Sequence, residues 1–137
     1  MEKLKINHAA VWVSVVLLTV LGFLWYGPLF SEPWMEMLCD DFNKDFVPGT
    51  GIWITNLVAT VVPMYVLAWL FTKLDVNSAL QGAGIGLLIG FAFVHLSDMT
   101  GNMFAQRPYA LSWITGGFSM VSLALAGLIL GAWRKYE

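Results

Sequence analysis

Charge is scarce in this sequence, and its scarcity is concentrated. No Asp, Glu, Lys or Arg occurs in the stretches 6–31, 46–72, 76–97 and 108–133, which together hold 101 of the 137 residues. Charged residues make up 12% of the chain against 58% hydrophobic, and the mean hydropathy is +0.72. These values exclude a water-soluble fold. A net charge of −2 leaves no basic footprint, so nucleic acid is not an expected partner. The single cysteine, Cys39, has no second thiol in the chain with which to form a disulfide. Catalytic signatures are missing as well: there is no G-x-S-x-G elbow, no P-loop and no glycine-rich dinucleotide fingerprint. Neither enzyme activity nor a cofactor is therefore expected.

Each charge-free stretch is long enough to cross a hydrocarbon core of roughly 30 Å at about 1.5 Å per helical residue. The pattern predicts an all-α, integral membrane four-helix bundle, one domain over 1–137, with helices at about 7–26, 52–71, 78–102 and 111–133. The first helix is expected to stop at Gly27-Pro28, since proline disfavours helix in the residue before it. Between the first two spans lies an acidic outer loop, 31–51, carrying Glu32, Glu36, Asp40, Asp41 and Asp45 against Lys44. Trp34, Leu38 and Phe42 recur in it every four residues, which predicts a short interfacial helix.

Pro63 falls inside the second span, where it predicts a kink and a freed carbonyl near Ala59. The short connection 72–77 makes the second and third helices expected antiparallel neighbours, and Ser78 to Gln81 reads as a capping box. Lys3, Lys5, Lys73, Arg134 and Lys135 share the terminal side, whereas only Lys44 and Arg107 lie opposite. That asymmetry places both termini in the cytoplasm of a cell-membrane protein, with the acidic loop outward.

Helices in lipid associate through close backbone contact and interhelical hydrogen bonds. Gly82, Gly86 and Gly90 make one smooth groove along the third span, and Gly127 and Gly131 a shorter one on the fourth. They serve contacts inside one bundle or between subunits, and a homo-oligomer is expected because so small a chain has little interior. Polar residues within the spans mark where chemistry could reside. His8 lies at the interface; Asn56 and Thr60 are one turn apart on the second helix. His95, Asp98 and Asn102 share one face of the third, at its outer end. They are expected to form one polar site for a small ligand or ion, with Arg107 near Asp98 and Tyr26 or Asn56 completing it. One His, one Asp and one Asn do not make a zinc site. Met35, Met37, Cys39, Met99 and Met103 fall on the outer side and would suit Cu(I), but methionine is also an ordinary gap-filler, so no metal is expected. The alternative function is an accessory subunit that binds a partner through the acidic loop.

Three blocks carry a resemblance: Trp25-Tyr26-Gly27-Pro28-Leu29-Phe30 followed by Trp34; Gly86 with Gly90-Phe91; and Gly127-Leu128-Ile129-Leu130-Gly131-Ala132-Trp133. Over nearly its whole length the chain resembles the small bacterial integral membrane family catalogued as domain of unknown function 1761. The resemblance implies a four-span architecture in a bacterial inner membrane and no established activity. This chain has Ala105 where the family turn carries an acid, and Thr115 and Phe118 where relatives often carry Asn and Tyr. From the residues alone, Trp25, Tyr26 and Trp34 suit an interface anchor, with rings at headgroup depth. The sharper reading has Tyr26 pointing inward toward His95 and Asp98.

Overall fold

Asn7 begins the first span and ties it to the last. Its side chain accepts hydrogen bonds from the Ala9 and Ala10 N–H groups at 3.1 and 3.3 Å, capping the helix start, and its amide donates to the Trp133 carbonyl at 3.1 Å. The computed structural model describes residues 3–38 and 47–136. Helix α1 runs His8–Leu24, α2 Ser31–Leu38, α3 Thr50–Lys73, α4 Ala79–Ile89, α5 Leu96–Phe104 and α6 Leu111–Ala132. A wider π turn, Gly90–His95, joins α4 to α5 as one continuous rod. Four segments are long and apolar enough to cross a membrane: His8–Leu29, Thr50–Lys73, Ala79–Phe104 and Leu111–Ala132. This is an all-α bundle of four candidate spans, the make-up of a multi-pass membrane protein. Cys39, Asp40, Asp41, Phe42, Lys44 and Asp45, on which part of the acidic-loop reading rests, lie outside the described residues.

The termini meet at one end. Leu4 and Lys5 pair antiparallel with Tyr136 and Lys135 in a two-stranded ribbon, which the charge and hydropathy pattern does not announce. Beside it the Arg134 guanidinium donates to the Leu130 carbonyl at 3.1 Å. Burial pulls its pKa below the ordinary arginine value, and Tyr136 acts in the opposite sense. His8, at the same end, hydrogen bonds across to the Tyr65 hydroxyl of α3 at 2.9 Å.

The helical path of the first span breaks at Gly27-Pro28, where it is expected to stop. Pro28 lacks an N–H, and Gly27 before it takes a non-helical backbone (φ −105°, ψ −106°) that kinks the chain, while the Phe30 N–H bonds the Trp25 carbonyl across the kink at 3.0 Å. The chain then enters α2 at Ser31.

Packing is dominated by α4 against α6. A Cβ on Gly82 would collide with the Gly127 carbonyl, one on Gly86 with the Leu123 carbonyl and one on Gly131 with the Ser78 carbonyl, while at Gly90 it would lie 2.8 Å from Met120 Cα. Both glycine grooves are therefore consumed within the chain, backbone on backbone. The same contact corrects the expected pairing of the second and third helices. Despite the short connection, α4 lies principally on α6, because only there do two glycine surfaces meet; α3 packs instead on α1. Ser78 caps α4 as expected, its hydroxyl accepting from the Gln81 N–H at 3.1 Å.

The apolar core sits toward the terminal end. From α1 it takes Ala10, Val11, Val15 and Leu18, from α3 Met64, Leu67, Ala68 and Phe71, and from α6 Ala126 and Leu130. Every buried residue of α3 follows Pro63, and Gly51 to Ala59 are all exposed. The second span is packed into the bundle below its proline and stands off from it above.

Candidate functional site

The gap left by α3 above Pro63 is a cavity of about 610 Å³. Tyr26 and Gly22 of the first span, Trp53, Asn56, Ala59 and Thr60 of α3, Trp34 of α2 and Phe118, Ser119 and Ser122 of α6 line it. Its walls are mainly apolar. Pro63 has no N–H to offer the Ala59 carbonyl, so one backbone acceptor of the wall lacks its usual helix donor. Aromatic rings close the far end: Tyr26 packs on Trp34 with centroids 4.8 Å apart and on Phe118 at 5.5 Å. Trp25 packs on Phe30 at 4.8 Å and sends its indole N–H to the Ile114 carbonyl at 2.9 Å. The Trp-Tyr-Gly-Pro-Leu-Phe block thus holds the first span to α6, and Tyr26 is only partly exposed.

A second, shallow depression of about 420 Å³ opens on the third span and is lined by Phe93, Val94, Ser97, Asp98, Gly101 and Asn102. Behind it lies a hydrogen-bond network. One Asp98 carboxylate oxygen accepts from the Thr115 hydroxyl and, at 3.3 Å, from the Asn102 amide, which also donates to Ser112 Oγ at 2.8 Å. Asn102 and Ser112 are buried. A carboxylate at this depth is held by neutral donors from its own and the facing helix, which lowers the cost of placing it there.

The six residues expected to form one site are distributed over several places. Asp98 and Asn102 are together. Tyr26 and Asn56 line the larger cavity. His95 borders neither cavity. It is 0% exposed, its ring 4.5 Å from that of Trp113 and 5.9 Å from that of Phe91, and it lies against Gly116. Neither ring nitrogen has a hydrogen-bond partner. His95 and Asp98 both face α6 but meet different partners there, His95 lying against Trp113 and Gly116 and Asp98 against Thr115. Arg107 is exposed in the turn after α5, where its N–H bonds the Asn102 carbonyl at 2.9 Å. Among the described residues no ion pair joins it to Asp98.

The stripe of hydroxyls along one face of α6 is the part of the site that sequence reasoning missed. Ser112, Thr115, Ser119 and Ser122 recur at spacings of three, four and three, a helical stripe. Its first two members bind Asn102 and Asp98, and its last two line the cavity. Between them Gly116 receives His95 and Gly117 faces Trp25, so the Ile114 to Phe118 segment meets both the first and third spans. Among the described residues no group of His, Cys, Asp and Glu has the arrangement to hold a metal ion.

Residues 9–131 match the model of the family described as Protein of unknown function (DUF1761). The chain belongs to this family. Neither a curated protein nor a solved structure matches it. The family is uncharacterised, so membership supplies the architecture and leaves function to the geometry of this DUF1761 member. Its Trp-Tyr-Gly-Pro-Leu-Phe block and its Thr-Gly-Gly-Phe segment face each other across the aromatic end of the cavity.

Proposed function

We propose that this protein is a non-enzymatic, multi-pass protein of the bacterial inner membrane that binds a small molecule between its first, second and fourth spans. Both termini are cytoplasmic in this reading, and the cavity occupies the outer half of the bilayer. The observation that carries it is the departure of α3 from the bundle above Pro63, leaving about 610 Å³. That volume falls in the range, roughly 300–1,000 Å³, of sites that enclose one small ligand, and such sites pair apolar walls with a few placed polar groups. Asp98 supports the wall from behind through Thr115. The subunit association expected from the glycine grooves loses that argument, since both are filled within the chain.

The test uses 1-bromooctane, whose bromine quenches tryptophan emission at short range, with purified protein in detergent. Trp34 and Trp53 at the cavity provide the signal. Quenching should saturate in the native chain and lose its saturable component in Ala59→Phe, which fills the cavity. Equal, unsaturable quenching of both proteins would overturn the reading.

A further inference from the structure

Hydroxyls inside apolar helices ordinarily satisfy themselves on the carbonyl four residues back. This chain follows that habit at Ser14, Thr19 and Thr60, each of which donates to its own helix at 2.8 Å. Ser122 departs from it. Its residue is 4% exposed, its Oγ is buried without a hydrogen-bond partner, and it lines the cavity. Leaving a hydroxyl in an apolar setting without a partner costs about 1–3 kcal/mol. Ser122 lies eleven residues into α6, about 16 Å along the span. Ala59, whose carbonyl lacks its usual helix donor because Pro63 has no N–H, lines the same cavity. At this depth, where water is scarce, the residues lining an apolar cavity include one whose buried hydroxyl has no partner and one whose carbonyl lacks its usual helix donor.

We propose that the ligand is a neutral lipophile bearing an oxygen function, a hydroxyl or a carbonyl, which enters oxygen first and takes its hydrogen bond from Ser122. A charged head group does not fit, because among the described residues the cavity lining holds no Asp, Glu, Lys or Arg. An ion does not fit for the same reason, so the cavity is a lipophile site and the ionic chemistry of this chain stays with Asp98. The apolar walls and aromatic end receive the hydrocarbon part.

This inference rests on the cavity binding proposed above. It is tested with two probes that differ by one group, 8-bromooctan-1-ol and 1-bromooctane, by tryptophan quenching of the whole protein in detergent. Affinities are expressed relative to each probe's partition into protein-free micelles. The alcohol should bind the native chain more tightly than the bromoalkane. Ser122→Ala should weaken the alcohol about three- to tenfold, the usual worth of one hydrogen bond, and leave the bromoalkane unchanged. Ser122→Thr, which keeps the hydroxyl, should restore the preference. Should Ser122→Ala fail to fold, the two probes in the native chain and in Ser122→Thr still decide. Equal affinity of the two probes in the native chain overturns the assignment of an oxygen-bearing ligand while leaving the cavity reading intact. A preference for the alcohol that survives Ser122→Ala overturns the role of Ser122. Absence of saturable binding for both probes overturns the cavity reading itself.

Discussion

Gly116 stands where any side chain would enter the imidazole of His95. A Cβ there would collide with His95 Nδ1 and come within 3.0 Å of His95 Cα. The ring is fixed on its other sides by Trp113 and Phe91, so it has little freedom to retreat. Gly116→Ala is therefore expected to destabilise the bundle by about 1–3 kcal/mol, the usual cost of overpacking. Gly117→Ala is the internal comparison, because its Cβ would meet Trp25 at an ordinary 3.7 Å. Thermal unfolding in detergent should show a lowered midpoint for the first and little change for the second.

The glycine grooves give a sharper contrast along α4. Gly86→Leu places a side chain into the Leu123 carbonyl and should lower the melting temperature strongly, whereas Gly84 faces open space and Gly84→Leu should be tolerated. Because the contact is inside one chain, neither variant should change the elution volume unless the bundle opens. A shift from a larger to a smaller species in Gly86→Leu, with its melting temperature unchanged, would place the groove between subunits instead.

How much of this was legible in the sequence depends on the scale of the signal. The four spans were, because a run of twenty or more residues without a charge is what a lipid-facing helix requires and what a soluble helix seldom shows. Their glycine contact was too, since Gly82, Gly86 and Gly90 repeat every four residues. Two things altered the expected site. His95, Asp98 and Asn102 all turn toward α6 as their spacing implies, but Trp113, Phe91 and Gly116 enclose His95 while Thr115 and Ser112 take up Asp98 and Asn102, so one face carries two separate environments. The hydroxyls of α6 were readable from their spacing, but serine and threonine satisfy themselves so readily in a helix that they do not attract attention as partners. Where Pro63 would send the second span was not legible, because that depends on which surfaces the other helices had already used.

Asp98 and Thr115 should behave as one unit. Their side chains meet across α5 and α6, and the same carboxylate oxygen holds Asn102. Thr115→Val and Asp98→Asn are each expected to lower stability, with a coupling of about 0.5–3 kcal/mol in the double-mutant cycle. Additive effects would show that the contact contributes nothing of its own.

The ribbon joining Leu4 to Tyr136 puts the two termini on one side whatever the orientation. In the proposed orientation that side, which carries the excess of Lys and Arg, is the cytoplasmic one. In a Cys39→Ser background, Lys3→Cys and Lys135→Cys should both resist an impermeant maleimide in intact cells and react after lysis. Labelling of both from outside reverses the orientation; labelling of one alone breaks the shared-end topology.

Pro63 offers the most direct handle on the cavity, because stability and binding should move in opposite directions. An interior proline costs a helix about 3 kcal/mol relative to alanine. Here it also withholds a donor from Ala59, and it sits where α3 leaves the bundle, just before Met64, Leu67, Ala68 and Phe71 become buried. Pro63→Ala restores that N–H and removes the ring that crowds the preceding turn of α3. The melting temperature should rise. The far half of α3 should close on α1 and α6, reducing the space between Asn56, Tyr26 and Ser119. Saturable quenching by 1-bromooctane should weaken in the same protein. A stabilised Pro63→Ala that binds the probe as the native chain does would show that the cavity is held open by something other than the proline, with the aromatic contacts of Tyr26, Trp34 and Phe118 the next groups to remove.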